Sequence, residues 1–191
     1  MAERVPNFRF SEKKHVHGIE VGAFRLELYR LFCMFSAGRE VTKHGVGWST
    51  IELLEEAYLE PEVMRILISC AAGLRIHFDQ SEQKAMAIEN VSDCGKVFPN
   101  WKLSVKNVEV LRLREACNKI IHATDIRFDM EMSKAGRNRP YYRPFIVLYG
   151  KKGQRNWRAE LSIIDFVKWG AATFFGWLPP EIKIAKGLTE R

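Results

Sequence analysis

The chain has 191 residues, of which 47% are hydrophobic and 28% charged, and its formal net charge is +7. This length allows one domain with a sizeable core, and the composition is ordinary for a soluble globular protein, which excludes a repeat or low-complexity chain. The longest apolar run, residues 163–178, contains Asp165 and Lys168 and is too short to span a bilayer. Residues 1–6 have no apolar run, so we expect no signal peptide. We therefore expect a cytoplasmic protein that does not bind a membrane.

The cysteines give no sign of a metal site. Cys33, Cys70, Cys94 and Cys117 show neither C-x-x-C spacing nor a zinc-ligand pattern. Three of them fall inside apolar helical patterns, so we expect buried free thiols. The sequence predicts no metal and no cofactor.

The first part of the chain is predicted to be helical after a flexible lead-in over residues 1–18. Apolar residues at helical spacing predict a helix over 19–41. Ser49 and Glu52 form a capping box for a helix over about 50–58. Pro61 fits the first turn of the next helix, which continues to about Gln80 and should be central because it is apolar nearly all round.

The second part combines a long helix with a hairpin. Residues 81–103 are expected to form a loop with a short helix around 84–90, and Ser104 is expected to cap a helix over about 105–127. Two strands are predicted at 141–149 and 156–163, joined by a glycine-containing loop. Ser162 and Asp165 begin a last helix that ends near residue 177.

A polar stripe on the predicted 105–127 helix is the main candidate for chemistry. Arg114, Asn118 and His122 lie at i, i+4 and i+8, and Glu115 lies seven residues before His122 on the same face. A histidine beside an arginine, a carboxylate and an amide can act as a general acid or base. A buried polar network that fixes the helix register has the same pattern, and the sequence leaves both interpretations open.

The positive charge is concentrated in one segment. Residues 133–158 contain eight basic residues and no acidic one, whereas the rest of the chain has 22 basic against 23 acidic residues. Arginine and lysine interleaved with aromatic rings are typical of nucleic-acid surfaces, and a protruding solvated loop is the alternative. The predicted nucleic-acid-binding residues are Arg137, Arg139, Arg143, Lys151, Lys152, Arg155, Trp157 and Arg158.

The helical order with a late arginine-to-histidine helix resembles the HEPN superfamily over about residues 19–127. The resemblance implies a small all-α bundle that dimerises, and in many members a metal-independent RNase of conflict, toxin or phage-defence systems. Asn118 and His122 match the family motif in kind. The family's arginine lies closer to its histidine than Arg114 does, and Ala116 or Cys117 occupies its usual place.

These observations predict a mainly α fold: one HEPN-like antiparallel helical bundle over 19–191, with a basic two-stranded hairpin at about 141–163 and a C-terminal helix. The expected function is a non-catalytic module of a bacterial or phage conflict or defence system that binds RNA, another nucleic acid or a protein, and that forms a homodimer. The alternative is a metal-independent RNase. In that case His122 would be the general acid or base, Arg114 would stabilise phosphate charge and Asn118 would orient the substrate.

Overall fold

Five antiparallel strands form one sheet in the computed structural model, which describes residues 21–43, 50–80, 88–101, 107–132 and 140–175. The strands are β1 (Gly95–Phe98), β2 (Glu109–Val110), β3 (Asp125–Met132), β4 (Pro140–Lys152) and β5 (Arg155–Ser162). Their spatial order is β2-β1-β5-β4-β3. The predicted lead-in over residues 1–18 lies outside the described residues.

Helices cover one face of this sheet. They are α1 (Val21–Lys43), α2 (Thr50–Gln80), α3 (Leu113–Ile121) and α4 (Ile163–Phe175). Helices α1, α3 and α4 contact β4, and α2 packs on α1 and α3. The sheet side chains of the buried face are Val97, Ile146, Leu148, Trp157, Ala159 and Leu161. Within the described ranges, none of the helices has the length and apolar character needed to cross a membrane.

The expected mainly α, HEPN-like helical bundle is wrong, because the sheet forms a complete layer of a mixed α/β fold. Strands β4 and β5 occupy the two segments predicted to be strands. They lie inside the sheet, between β1 and β3, rather than in a separate hairpin. The predicted long helix over 105–127 is also wrong, since β2, α3 and the start of β3 share those residues.

Two predicted helix starts, at Pro61 and at Ser162, have different outcomes. Helix α2 continues through Pro61 as a single helix, although the proline leaves the Ala57 carbonyl without its intrahelical donor. Ala57 is exposed, so water can take the place of that donor. The start predicted for the last helix is confirmed: the Asp165 backbone N–H donates to Ser162 Oγ, and Ser162 Oγ donates to Asp165 Oδ2 at 2.6 Å.

Helix α3 begins with caps supplied by a neighbouring loop. Arg112 stands at the N-cap and has no side-chain oxygen to accept a hydrogen bond from the first turn. Ser92 Oγ accepts instead from the Leu113 backbone N–H at 3.0 Å, and Glu89 Oε2 accepts from the Arg114 backbone N–H at 2.9 Å. The start of the helix is therefore fixed by residues 21 and 25 positions away in sequence.

The other end of α3 meets the β4–β5 hairpin at Gly150. Gly150 and Trp157 are cross-strand partners, and the indole of Trp157 lies against the glycine. A Cβ atom at Gly150 would overlap that ring and lie 2.9 Å from the His122 carbonyl oxygen. The absence of a side chain therefore allows the hairpin to close against the end of the helix.

Gly150→Ala should lower the free energy of unfolding by roughly 3 kcal/mol, at the upper end of overpacking costs, because both a buried ring and a carbonyl must move. Gly153→Ala is the matched control. Its Cβ would meet nothing within 4 Å. The substitution should therefore lower the free energy of unfolding only by the cost of a left-handed alanine, about 1 kcal/mol. Urea unfolding of both variants measures the difference. Equal stability of the two would show that the Trp157–Gly150 contact is not tight.

Candidate nucleic-acid interface

Arg114 is held at the start of α3, facing α2. Its guanidinium Nη2 donates to Asp79 Oδ1 at 2.7 Å, near the end of α2. Asp79 also lies 3.8 Å from Arg75, the partner expected from their i, i+4 spacing. Arg114 therefore joins two helices rather than pointing along the stripe.

Asn118 belongs to a different network, centred on Glu115. Asn118 Nδ2 donates to Glu115 Oε2 at 3.0 Å, and Lys119 Nζ lies 2.9 Å from Glu115 Oε1. Partial burial works to raise the pKa of the Glu115 carboxyl, but the hydrogen bonds from Asn118 and Lys119 and the charges of Lys119 and Lys152 outweigh it. The pKa of Glu115 therefore lies below its ordinary value.

His122 is the C-cap of α3 and is exposed to solvent. Its backbone N–H donates to the Asn118 carbonyl at 3.0 Å. Its imidazole makes no hydrogen bond or ion pair with the described part of the chain. A rise of 1.5 Å per residue places its Cα about 12 Å from that of Arg114 along the helix. The three stripe residues thus share a helix but not a site, and His122 is not part of a buried network.

The basic segment is divided between two surfaces by the alternation of the strands. Arg137 and Arg139 lie outside the described residues. Arg143 pairs with Asp129 at 3.0 Å and Glu131 at 3.5 Å, both on β3, and Arg158 pairs with Glu160. These two arginines lie on the sheet face away from the helices, and carboxylates from outside the basic segment compensate their charge.

Trp157 does not offer a stacking surface. Its side chain faces the helices and is only 3% exposed, with the Lys119 ammonium 4.4 Å from the ring centre. A base cannot stack on a ring in this position, so its predicted role in nucleic-acid binding is unsupported by its placement. Its role in the fold is to join β5 to α3.

The remaining cations lie together at the hairpin tip, defined here as residues 151–155. Lys151, Lys152 and Arg155 are exposed and make no ion pair with described residues. The Lys152–Arg155 pair closes the turn, in which Gly153 has a φ of +59°. A two-residue loop of this kind holds the tip in a defined position, because its handedness matches the strand twist.

A groove of about 360 Å³ runs from the tip along α3. The residues that line it are Val97, Pro99, Glu109, Glu115, Lys119, Lys152, Arg155 and Trp157. Its cations thus come from the tip and from α3, while its two carboxylates lie on β2 and α3. The groove joins the tip to the Glu115–Lys119 network in one polar surface.

Sequence reasoning did not single out Lys119, which is only 9% exposed and links the groove to the core through Trp157. The signal that could have found it is the i, i+4 pair of Glu115 with Lys119. The contact with Trp157, 38 positions away, had no such local signal.

Comparison with known proteins gives no match, whether with family models, curated proteins or solved structures. The HEPN resemblance therefore stays a prediction, and the bundle that it implies is not the fold of the chain. Among the described residues, no group of three histidine, cysteine or acidic side chains could hold a metal ion.

His122→Ala should change the free energy of unfolding by no more than about 0.5 kcal/mol, because an exposed side chain without partners contributes little. Lys119→Ala should cost roughly 1–2 kcal/mol, since it removes the contact with Trp157 and the packed alkyl chain. Urea unfolding midpoints at neutral pH provide the comparison. A larger loss of unfolding free energy for His122→Ala than for Lys119→Ala would show that His122 belongs to a structural network.

Proposed function

We propose that this chain is a non-catalytic nucleic-acid-binding module that contacts the phosphate backbone with its hairpin tip. The observation that carries the proposal is that the cations of the tip are exposed and form no salt bridge with a described residue. Lys151, Lys152 and Arg155 differ in this respect from Arg143 and Arg158, which are paired with carboxylates. Only Lys152 among the tip cations has a carboxylate nearby in the described residues, since its charge acts on Glu115. Cations that are not already paired can displace the counterions of a nucleic acid.

The tip favours backbone contacts over base reading. Phosphate contacts need exposed cations at the right spacing, whereas base recognition needs rings or amides that reach base edges. The tryptophan of the hairpin is buried, and the residues between the cations are Gly153 and Gln154. We expect binding that depends strongly on salt and weakly on sequence.

The groove extends the same surface toward α3. Lys152 and Arg155 belong to both the tip and the groove, and Lys119 lies deeper in it. A strand that contacts the tip can follow Lys152 and Arg155 into the groove, whereas Lys119 is already paired with Glu115. The carboxylates of Glu109 and Glu115 repel phosphates from the groove wall. The carboxylates thus favour a single path for the backbone along the cationic side.

The separation of Arg114 from His122 supports a non-catalytic role. An RNase built on the stripe needs a cation that stabilises phosphate charge within reach of the general acid or base. Arg114 is bound to Asp79 at the opposite end of α3 from His122. In the conflict or defence setting that the HEPN resemblance implies, the module would recognise a nucleic acid rather than cut it.

Fluorescence anisotropy with a short labelled single-stranded RNA tests the tip. Lys151→Glu with Arg155→Glu should weaken binding roughly tenfold or more, and the slope of log K against log salt should fall by about two. This pair leaves Lys152 in place beside Glu115. The double variant should retain its melting temperature, because exposed charges contribute little to stability.

Lys96→Glu with Lys168→Glu is the matched control, since both lysines are exposed and the change in net charge is the same. It should bind much more tightly than the tip variant. Equal weakening by both pairs would mean that only net charge matters. Binding that ignores salt and both pairs would contradict the proposal, and chelator-resistant RNA cleavage lost in His122→Ala would favour the RNase.

A further inference from the structure

The outer face of α2 carries a row of exposed and mostly apolar side chains. The row consists of Leu54, Tyr58, Pro61, Arg65, Ile68, Ala72 and Ile76. They follow one another at intervals of three or four residues, which places them on one face of the helix. Tyr58 is 65% exposed and Ile68 is 49% exposed, so these are large apolar surfaces in contact with solvent.

Helix α2 is apolar on the face that this row occupies and on the opposite face, yet only the opposite face is buried. The opposite face of α2 is fully buried through Val63, Ile66, Leu67 and Leu74. A helix that is apolar on both faces is ordinarily buried on both. Of the fourteen large hydrophobic residues that are exposed in the described ranges, eight lie on α1 and α2, which marks this layer as a contact surface.

The row is self-complementary about Arg65. Leu54 and Ile76 lie eleven residues before and after Arg65, and Tyr58 and Ala72 lie seven residues before and after it. An antiparallel copy centred on Arg65 would place leucine opposite isoleucine and the tyrosine ring opposite alanine. A large side chain facing a small one is the arrangement that lets two helices interdigitate. A two-fold contact requires this kind of self-complementary surface.

The charges at the centre of the row are already compensated within one chain. Arg65 Nη2 lies 2.9 Å from Glu27 Oε2 and 2.7 Å from Glu62 Oε1, and Arg30 lies 3.4 Å from Glu27. Two arginines and two glutamates sum to zero charge. Covering the cluster therefore costs less desolvation energy than burying an isolated arginine.

Helices α1 and α2 form an antiparallel pair, since Glu27 lies beside Arg65 and Gly38 lies beside Glu55. Two such pairs stacked through their outer faces make a four-helix layer, a common way to bury a face of this kind. We propose that a second copy of this chain covers the row, with the two α2 helices antiparallel and Arg65 near the two-fold axis.

Light scattering at micromolar concentration tests the assembly. The chain should have about twice its mass of 22.1 kDa. Ile68→Glu should convert it to a folded monomer, whereas Val110→Glu, an equally exposed position on β2, should leave the dimer intact. A wild-type monomer across the concentration range would overturn the proposal. That result is also the one expected if another segment of the same chain covered the row. A dimer that persists in folded Ile68→Glu would also overturn it.

Cysteine cross-linking tests the orientation independently, in a Cys33→Ser background because the other three cysteines are buried. Tyr58→Cys and Ala72→Cys proteins should cross-link when mixed and oxidised, and neither should cross-link alone. Cross-links within each single variant would show a parallel arrangement and overturn the proposal. Absence of any cross-link in a dimer would place the interface elsewhere and overturn it too.

Discussion

The packing of Trp157 between the sheet and α3 is the contact on which the rest of the structure depends. Helix α3 spans only nine residues, too few to be stable alone in water, so it needs a tertiary partner. Helix α2 packs along α3, and the buried indole adds the contact with the sheet, lying against Gly150 on one strand and near the Lys119 ammonium on the helix. The end of α3, the hairpin tip and the groove consequently share one wall.

Strand alternation then decides which cations are available to a ligand. A continuous basic segment in sequence becomes two surfaces in the fold, because successive side chains of β4 and β5 point to opposite faces. On the outer face, Arg143 and Arg158 meet carboxylates of β3 and β5. At the turn end of these two strands, Lys151 and Arg155 meet no carboxylate among the described residues. A count of basic residues along the chain therefore overestimates the positive charge that a ligand can reach. The hairpin tip keeps a local excess of positive charge.

The predictions that held depend on local signals, whereas the failures include both misread local signals, as at Pro61 and in β3, and long-range pairing. The Ser162–Asp165 cap and the segments of β4 and β5 follow from short patterns. Strand β3 also carries a signal, the alternation of Ile126 and Phe128 with charged neighbours, but the helical spacing of the preceding residues masked it. Strand β2 has only two residues and exists through its register with β1, which no local pattern encodes. Arg114 and Asn118 lie on α3 and His122 is its C-cap, but the partner of Arg114 is Asp79, 35 positions away, which no local pattern indicates.

The central claim is that a nucleic acid contacts the tip and follows the cationic side of the groove. Its most direct test is a titration of isotope-labelled protein with a short single-stranded RNA, followed by amide chemical shifts. The account predicts shifts at residues 151–155 and around Lys119, fading as salt rises, with the α2 resonances near Ile68 unchanged. Shifts confined to the α1–α2 face, or a tip that stays unperturbed at saturating RNA, would contradict it.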